Sequence, residues 1–136
     1  MFSLPEPKVG LAALAGGLAR LPRVVGLHNA MGMILTARKV TAQEGHRLGF
    51  VNEVVPHDAL LKKALECAKM ITACSPDSIR ASKRSVLLGL TEPNVVTAIN
   101  KSQKYPEVTE MLRGNNLFEG IQAFNQKRKP NWNSNL

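Results

Sequence analysis

Apolar residues recur at helical spacing through the second half of the chain. After Asp58, a residue type that often caps a helix N-terminus, apolar side chains occupy one face of the predicted helix and charged ones the other. The apolar stripe comprises Leu60, Leu61, Ala64, Leu65, Ala68 and Ile71. Ser75 followed by Pro76 predicts the start of a second helix. Thr91 is expected to cap a third helix, running to about Lys104.

Two further helices are predicted before the chain ends. Pro106 begins one that ends at Gly114, and the last covers about 117–126 with apolar residues on one face. Beyond Pro130 we expect the tail, residues 131–136, to be frayed. The second half is therefore predicted to be a run of helices.

The first half predicts shorter helices separated by glycines. Gly16 and Gly17 open a helix over 18–25 that ends at Gly26, and another short helix covers 29–35.

A capping box and two short β-rich runs complete the first half. Thr41 and Glu44 form the capping box, which predicts a helix from Ala42 that stops at Gly49. Residues 50–55 are rich in β-forming types and precede a proline, so we predict a brief strand there. Residues 2–4 resemble the end of a strand, and we expect the chain to be the downstream part of a longer protein.

The composition suits a single domain with a basic surface, and it leaves several classes of binding partner open. The 136 residues suit one ordinary domain, and 44% of them are hydrophobic, enough for a core. The formal net charge of +8 favours a polyanion such as nucleic acid, anionic lipid or a phosphorylated small molecule. Basic residues are scattered, and Tyr105 and Trp132 are far apart, so we expect no nucleic-acid partner.

Neither a secretory leader nor a membrane segment is predicted. The first residues lack a basic flank followed by a long apolar run, and no apolar stretch reaches the ~18 residues of a membrane span. We therefore expect an intracellular protein, cytoplasmic or in an organelle matrix, with no membrane partner. The histidines His28, His46 and His57 show no spacing suited to a shared metal, so no metal site is predicted.

Glu6 is the strongest candidate for chemistry in the sequence. It lies between Pro5 and Pro7 and next to a glycine-rich turn, at what we predict to be an apolar strand end, where a carboxylate is costly to desolvate. Such a carboxylate can act as a general acid or base. Alternatively, Glu6 is a structural carboxylate held in an ion pair.

Six motifs follow one another in the order and spacing of a known family. They are Phe2-Ser3-Leu4-Pro5-Glu6, the turn from Gly10 to Gly17, Arg20-Leu21-Pro22-Arg23, Leu35-Thr36-Ala37-Arg38, Ala42-x-Glu44, and Leu48-Gly49-Phe50-Val51-Asn52-Glu53-Val54-Val55-Pro56. A later run, Glu119-Gly120-Ile121-Gln122-Ala123-Phe124-x-x-Lys127-Arg128, is similar to that family's last helix. Together they resemble the C-terminal half of the crotonase superfamily, the enoyl-CoA hydratases and isomerases.

The resemblance implies an α/β fold of the ClpP/crotonase spiral type. This chain would cover mainly its helical C-terminal portion and would be mostly α with two short strands. Residues 1–56 would form the end of the spiral core, and residues 57–136 a helical region through which subunits associate as a trimer or a dimer of trimers.

The resemblance also implies an activity on enoyl-CoA thioesters in fatty-acid or related acyl-CoA metabolism. In such enzymes two backbone amides polarise the thioester carbonyl, and two glutamates handle the water and the proton. Glu6 corresponds to one glutamate; the amides and the other glutamate precede Phe2 in the family. We therefore expect the 136 residues alone to be inactive. No separate cofactor is expected, since coenzyme A is carried as part of the substrate.

Three further residues are assigned to substrate binding by the resemblance. Leu14 stands where many hydratases have a smaller residue, so its bulkier side chain would lie close to the acyl group or water. Phe124 and Lys127 lie on the last helix, where the adenine and phosphates of coenzyme A come within reach. The alternative for Lys127 is a lysine that faces solvent within a charged run.

A function of another class remains open. The chain could be a non-catalytic helical oligomerisation module whose basic tail binds a polyanion. The absence of the other catalytic elements from these residues favours this alternative.

Overall fold

The computed structural model describes residues 1–134, which divide into two compact units, Met1–Leu60 and the residues from Leu61 onward. The first contains α1 (Gly17–Val25), α2 (Leu27–Thr36) and α3 (Ala42–Arg47), together with short 3-10 turns at Glu6–Val9 and His57–Ala59. The second contains most of α4 (Leu60–Thr72), then α5 (Pro76–Gly89), α6 (Val95–Ser102), α7 (Pro106–Arg113) and α8 (Asn115–Asn125). The roles assigned to residues 1–56 and 57–136 stay predictions.

The core of the first unit is built from small and aliphatic side chains. α1 and α2 pack against each other, and α2 also contacts the 3-10 turn at Glu6–Val9. The buried residues are Ala13, Val25, Ala30, Met33, Ala37 and Val40. Ala37 ends α2 in the left-handed conformation, with φ 48°, a region that glycine adopts more readily. The predicted helices over 18–25 and 29–35 are confirmed, with slightly wider bounds.

Of the two predicted strands, one is reduced to a single bridge and the other does not form. Phe2 and Val40 exchange two antiparallel hydrogen bonds of 2.8 Å, the one β-bridge found within residues 1–134. The predicted strand over 50–55 is wrong. Phe50 N and Val51 N donate to the Gly45 carbonyl at 3.1 and 3.2 Å, so these amides close the end of α3 instead of pairing with a strand.

The capping box at Thr41 is confirmed in one direction. The Thr41 hydroxyl accepts from the Glu44 N–H at 3.1 Å and starts α3 as predicted. The Glu44 carboxylate contacts the Arg38 guanidinium at 2.7 Å. This ion pair spans the loop before α3 and occupies the carboxylate that a complete capping box would direct to the Thr41 N–H.

In the second unit, α5 is the central helix. It packs against both α6 and α7, and α7 packs against α8. Ser75 caps α5 by accepting from Ser78 N at 3.5 Å, as predicted. Thr91 does not cap α6, contrary to prediction. Its hydroxyl donates back to the Leu88 carbonyl at 3.0 Å, and Asn94 caps α6 by accepting from Thr97 N at 3.1 Å.

The predicted amphipathic helix forms as α4, but its apolar stripe is exposed. No residue of α4 is buried within the described part of the chain. Leu60, Leu61, Leu65 and Ile71 are 49% to 70% exposed. Asp58 does not cap this helix, because it lies inside the 3-10 turn that precedes α4.

The tail after α8 is held by hydrogen bonds through Asn133, so the prediction of fraying is wrong for 131–133. Asn116, which is 5% exposed, donates to the Asn133 carbonyl and accepts from its N–H, both at 2.8 Å. Trp132 donates its indole N–H to the Ala73 carbonyl at 2.9 Å. Residues 135–136, for which fraying was also predicted, lie outside the described residues.

The start of the tail is held by a carboxylate on α8. Arg128 donates to both oxygens of Glu119, at 2.6 and 2.9 Å, and Asn131 N donates to the same carboxylate at 2.7 Å. The Arg128 hydrogen bond, followed by that of Asn131, lowers the pKa of Glu119 from 4.5 to about 2, against a smaller opposing effect of burial. We call this group, Glu119 with Arg128 and Asn131, the tail clamp.

The tail clamp makes the effect of Glu119 on stability depend on pH. Because the folded-state pKa lies below the unfolded value, its contribution is complete above about pH 4.5 and declines as the pH falls toward 2. We therefore predict that Glu119→Gln lowers the melting temperature at pH 7, and that the difference from wild type shrinks with acidification. Thermal unfolding across pH 2 to 7 checks this, with Glu66→Gln on the exposed face of α4 as the control. A difference that does not change with pH would contradict it.

Candidate functional site

The backbone around Glu6 is tightly held by local hydrogen bonds. Glu6 is the first residue of its 3-10 turn, and Pro5 precedes it. Lys8 N donates to the Pro5 carbonyl and Leu11 N to the Glu6 carbonyl, both at 3.0 Å. Gly10 ends the turn with φ 76°, a left-handed conformation that suits glycine. The sequence placed Glu6 at a strand end, whereas the structure places it at the start of a turn.

The Glu6 side chain has one buried oxygen with no hydrogen-bond partner. Its Oε2 is shielded from solvent, and no donor reaches it among the described residues. Burying a carboxylate oxygen without a donor is unfavourable, and native structures rarely leave such an atom unpaired. A water molecule or a bound substrate that carries a hydrogen-bond donor would satisfy it. The structural ion pair considered for Glu6 finds no support in this geometry.

A cleft of about 310 Å³ lies beside Glu6. Its other lining residues are small or apolar, namely Leu4, Ala12, Ala13, Leu14, Ala15 and Gly17. Leu14 is 81% exposed. The structure thus brings together two predicted site residues, Glu6 and Leu14, in a cleft whose side chains otherwise offer no charge.

Leu4 is a wall of this cleft that sequence analysis did not single out. A methyl group built on Gly17 would lie 3.2 Å from Leu4 Cδ2 and 3.3 Å from the Ala13 methyl. Glycine at this position lets the start of α1 approach the segment that carries Glu6. Leu4 lies two residues before Glu6 and directly before the αR residue Pro5, and its place in the Phe2-to-Glu6 motif is the sequence signal that could have identified it.

The other two predicted site residues lie together at the end of α8, in the second unit. Phe124 is 84% exposed. Lys127 has φ 53°, and its N–H donates to the Phe124 carbonyl at 3.2 Å. Arg128, the next residue of the same charged run, forms an ion pair with Glu119, and its side chain remains partly exposed to solvent.

The described part of the chain contains neither a cluster of metal-binding side chains nor a helix suited to a membrane. Among residues 1–134, no group of three or more His, Cys, Asp or Glu side chains could hold a metal ion. No helix in the same residues combines the length and the apolar character needed to cross a membrane.

Comparisons with known proteins agree on one family. The enoyl-CoA hydratase/isomerase family matches residues 1–135. Mevalonyl-coenzyme A hydratase of Aspergillus fumigatus is 40% identical over 133 residues, 96% of this chain and 48% of that protein. 2,3-Dehydroadipyl-CoA hydratase of Escherichia coli is 34% identical over 131 residues, 96% of this chain and 50% of that protein.

Solved structures show the same likeness. Enoyl-CoA hydratase from Mycobacterium tuberculosis superposes with a TM-score of 0.88 at 32% identity, covering 97% of this chain and 51% of that one. Enoyl-CoA hydratase EchA1 from Mycobacterium marinum gives a TM-score of 0.87 at 34% identity, covering 96% and 51%. The chain spans about half the length of the relatives it matches.

The close contact at Gly17 can be tested by stability. We predict that Gly17→Ala destabilises the protein by about 1 kcal/mol, because the added methyl presses on Leu4 and Ala13. Gly32→Ala in α2 is the matched control. A methyl there meets nothing within 4 Å. Better helix propensity should therefore stabilise that variant by up to about 1 kcal/mol. Urea unfolding measures the free energy of unfolding of both variants. If Gly17→Ala stabilised the protein as much as Gly32→Ala, the predicted steric conflict at Gly17 would be wrong.

Proposed function

The chain belongs to the enoyl-CoA hydratase/isomerase family and has the crotonase fold of its relatives, and from this we propose that the intact protein acts on an enoyl-CoA thioester. It adds water across the double bond or shifts that bond along the acyl chain. Glu6 serves as a general acid or base. The observation that carries this proposal is the buried, unpartnered Oε2 of Glu6 at an apolar cleft.

Hydration requires one proton to leave water and one to reach carbon. The water oxygen bonds to C3, the electrons of the double bond move to C2, and C2 takes a proton. A carboxylate can accept the water proton and a carboxylic acid can supply the carbon proton. For a double-bond shift, one carboxylate removes a proton and the resulting acid returns it elsewhere. Glu6 is suited to one such role, because its oxygen lacks a competing donor.

Charge that develops on the thioester oxygen needs donors at a fixed position. In this proposal two backbone amides and a second glutamate come from sequence outside these 136 residues. The half-length match to its relatives supports that placement. We accordingly expect the 136 residues alone to show no turnover of crotonyl-CoA.

Hydration is the preferred reaction of the two. The relatives named above as mevalonyl-coenzyme A hydratase and 2,3-dehydroadipyl-CoA hydratase both carry that activity in their names. The substrate is an acyl-CoA of fatty-acid or related metabolism, and Leu14 narrows the cleft where its acyl group would lie. No separate cofactor takes part. Phe124 and Lys127 contact the nucleotide part of the coenzyme A carried by the substrate.

Self-association and location complete the proposal. We expect a trimer or a dimer of trimers, since the apolar side chains along α4 are exposed in this chain and association would cover such surface. An acyl-CoA substrate agrees with a cytoplasmic or organelle-matrix location.

The same exposed stripe favours the second candidate function, a non-catalytic oligomerisation module whose basic tail binds a polyanion. The two candidates differ in what they require of Glu6. The enzyme needs its carboxylate, whereas the module does not.

Glu6→Gln is the direct test of the enzyme. In the intact protein we predict at least a ~100-fold loss of crotonyl-CoA hydration, the scale expected of a general acid or base. Glutamine keeps the shape of the side chain but cannot exchange the proton. Loss of absorbance from the conjugated thioester measures the rate, with Glu66→Gln as the matched control. A rate near wild type would remove Glu6 from the mechanism, and a wild-type protein without turnover would favour the oligomerisation module.

A further inference from the structure

Lys127 is held in a backbone conformation that lysine rarely adopts. Its φ of 53° lies in the left-handed region, where the Cβ of any residue other than glycine is crowded. This residue follows α8, at the position where glycine is usual. Hydrogen bonds from Lys127 N to the Phe124 carbonyl and from Arg128 N to the Ala123 carbonyl, at 3.2 and 3.0 Å, complete the helix end. A strained conformation of this kind persists only where neighbouring contacts impose it.

The tail clamp supplies those contacts on the C-terminal side of Lys127. Arg128 contacts both oxygens of Glu119, at 2.6 and 2.9 Å, a two-point geometry that fixes the guanidinium in orientation as well as position. It also donates to Gln126 Oε1 at 2.7 Å. The Arg128 side chain therefore links both sequence neighbours of Lys127, Gln126 and Arg128 itself, to Glu119.

The two cationic side chains of this segment, Arg128 and Lys127, have different roles. The Arg128 guanidinium is already engaged by Glu119 and offsets its negative charge. An anion near the end of α8 therefore meets the Lys127 ammonium without a net repulsion from Glu119. The exposed ring of Phe124, three residues earlier, offers an apolar surface at the same helix end.

We propose that Glu119 is a positioning residue for the nucleotide of coenzyme A, which it serves by holding Arg128 and thereby the left-handed backbone of Lys127. This inference rests on the proposed function, in which Lys127 contacts that nucleotide. Glu119 itself touches no substrate. It affects ligand binding by fixing the Lys127 backbone, which sets the position of the lysine side chain.

The test compares two thioesters that differ only in the nucleotide. Crotonyl-CoA carries it, whereas crotonyl-pantetheine has the same reacting group and lacks the adenosine phosphates. All variants are made in the intact protein, because the 136 residues alone are expected to be inactive. The double variant Glu119→Gln/Arg128→Gln removes the ion pair without changing the net charge. We expect its KM for crotonyl-CoA to rise about fivefold with kcat unchanged, the upper range for an exposed ion pair. Its KM for crotonyl-pantetheine should equal that of wild type, which general damage to the fold would not allow.

A matched control removes another ion pair of the second unit. Lys101 and Glu92 are in contact at 2.7 Å, so Glu92→Gln/Lys101→Gln makes the same charge-neutral change away from Lys127. It should leave both KM values as they are. Lys127→Ala should raise KM for crotonyl-CoA and leave the pantetheine thioester unaffected.

The outcomes separate the inference from the proposed function. If Lys127→Ala raises the KM for crotonyl-CoA but the Glu119/Arg128 double variant does not, the positioning role of Glu119 is wrong and the proposed enzymatic function stands. If Lys127→Ala changes neither KM, the nucleotide contact is absent and the inference falls with it. For a wild-type protein without turnover, the proposed function fails. Equilibrium binding of coenzyme A to the same variants then decides the positioning role, and equal affinities would overturn it.

Discussion

The close approach of Leu4 to Gly17 is the constraint on which the first unit depends. It brings the start of α1 against the extended segment before Glu6, with a glycine where a methyl group would stand 3.2 Å from the leucine. Local hydrogen bonds close the turn that begins at Glu6, and they fix the backbone that follows Leu4. The small residues between Ala12 and Gly17 do not fill the space beside Glu6, so a cleft remains there. A carboxylate oxygen without a partner is the result.

Polar contacts from one face of α8 hold the tail of the second unit. Asn116 and Glu119 lie one turn apart on α8 and bind successive parts of the tail, at Asn133 and at Arg128 and Asn131. Neighbouring positions three residues apart share a helix face, so one surface of α8 receives the whole segment. Trp132 adds a hydrogen bond to the end of α4. Residues 131–133, which form no regular structure, are thereby fixed by hydrogen bonds to α8 and to Ala73.

The two units differ in what they leave exposed. In the first, the exposed apolar residue of interest is Leu14, in the cleft that contains the candidate acid or base. In the second, whole stripes of apolar side chains on α4 are uncovered. An exposed apolar helix face is costly in water, and proteins commonly cover such surface by an interaction. The proposed enzyme accounts for both features, since it needs a substrate cleft and partner surfaces.

Sequence alone determined the elements whose contacts are local. The caps at Thr41 and Ser75 and the end of α1 at Gly26 depend on residues three or four apart, so the pattern of residues predicts them. Motif order also made Glu6 and Leu14 candidate site residues, and both line one cleft in the structure. Tertiary structure decided the fate of 50–55, where amides bond to α3, and the order of 131–133, which bonds to a residue 17 positions earlier. Such outcomes depend on where distant segments meet, and no local pattern specifies that.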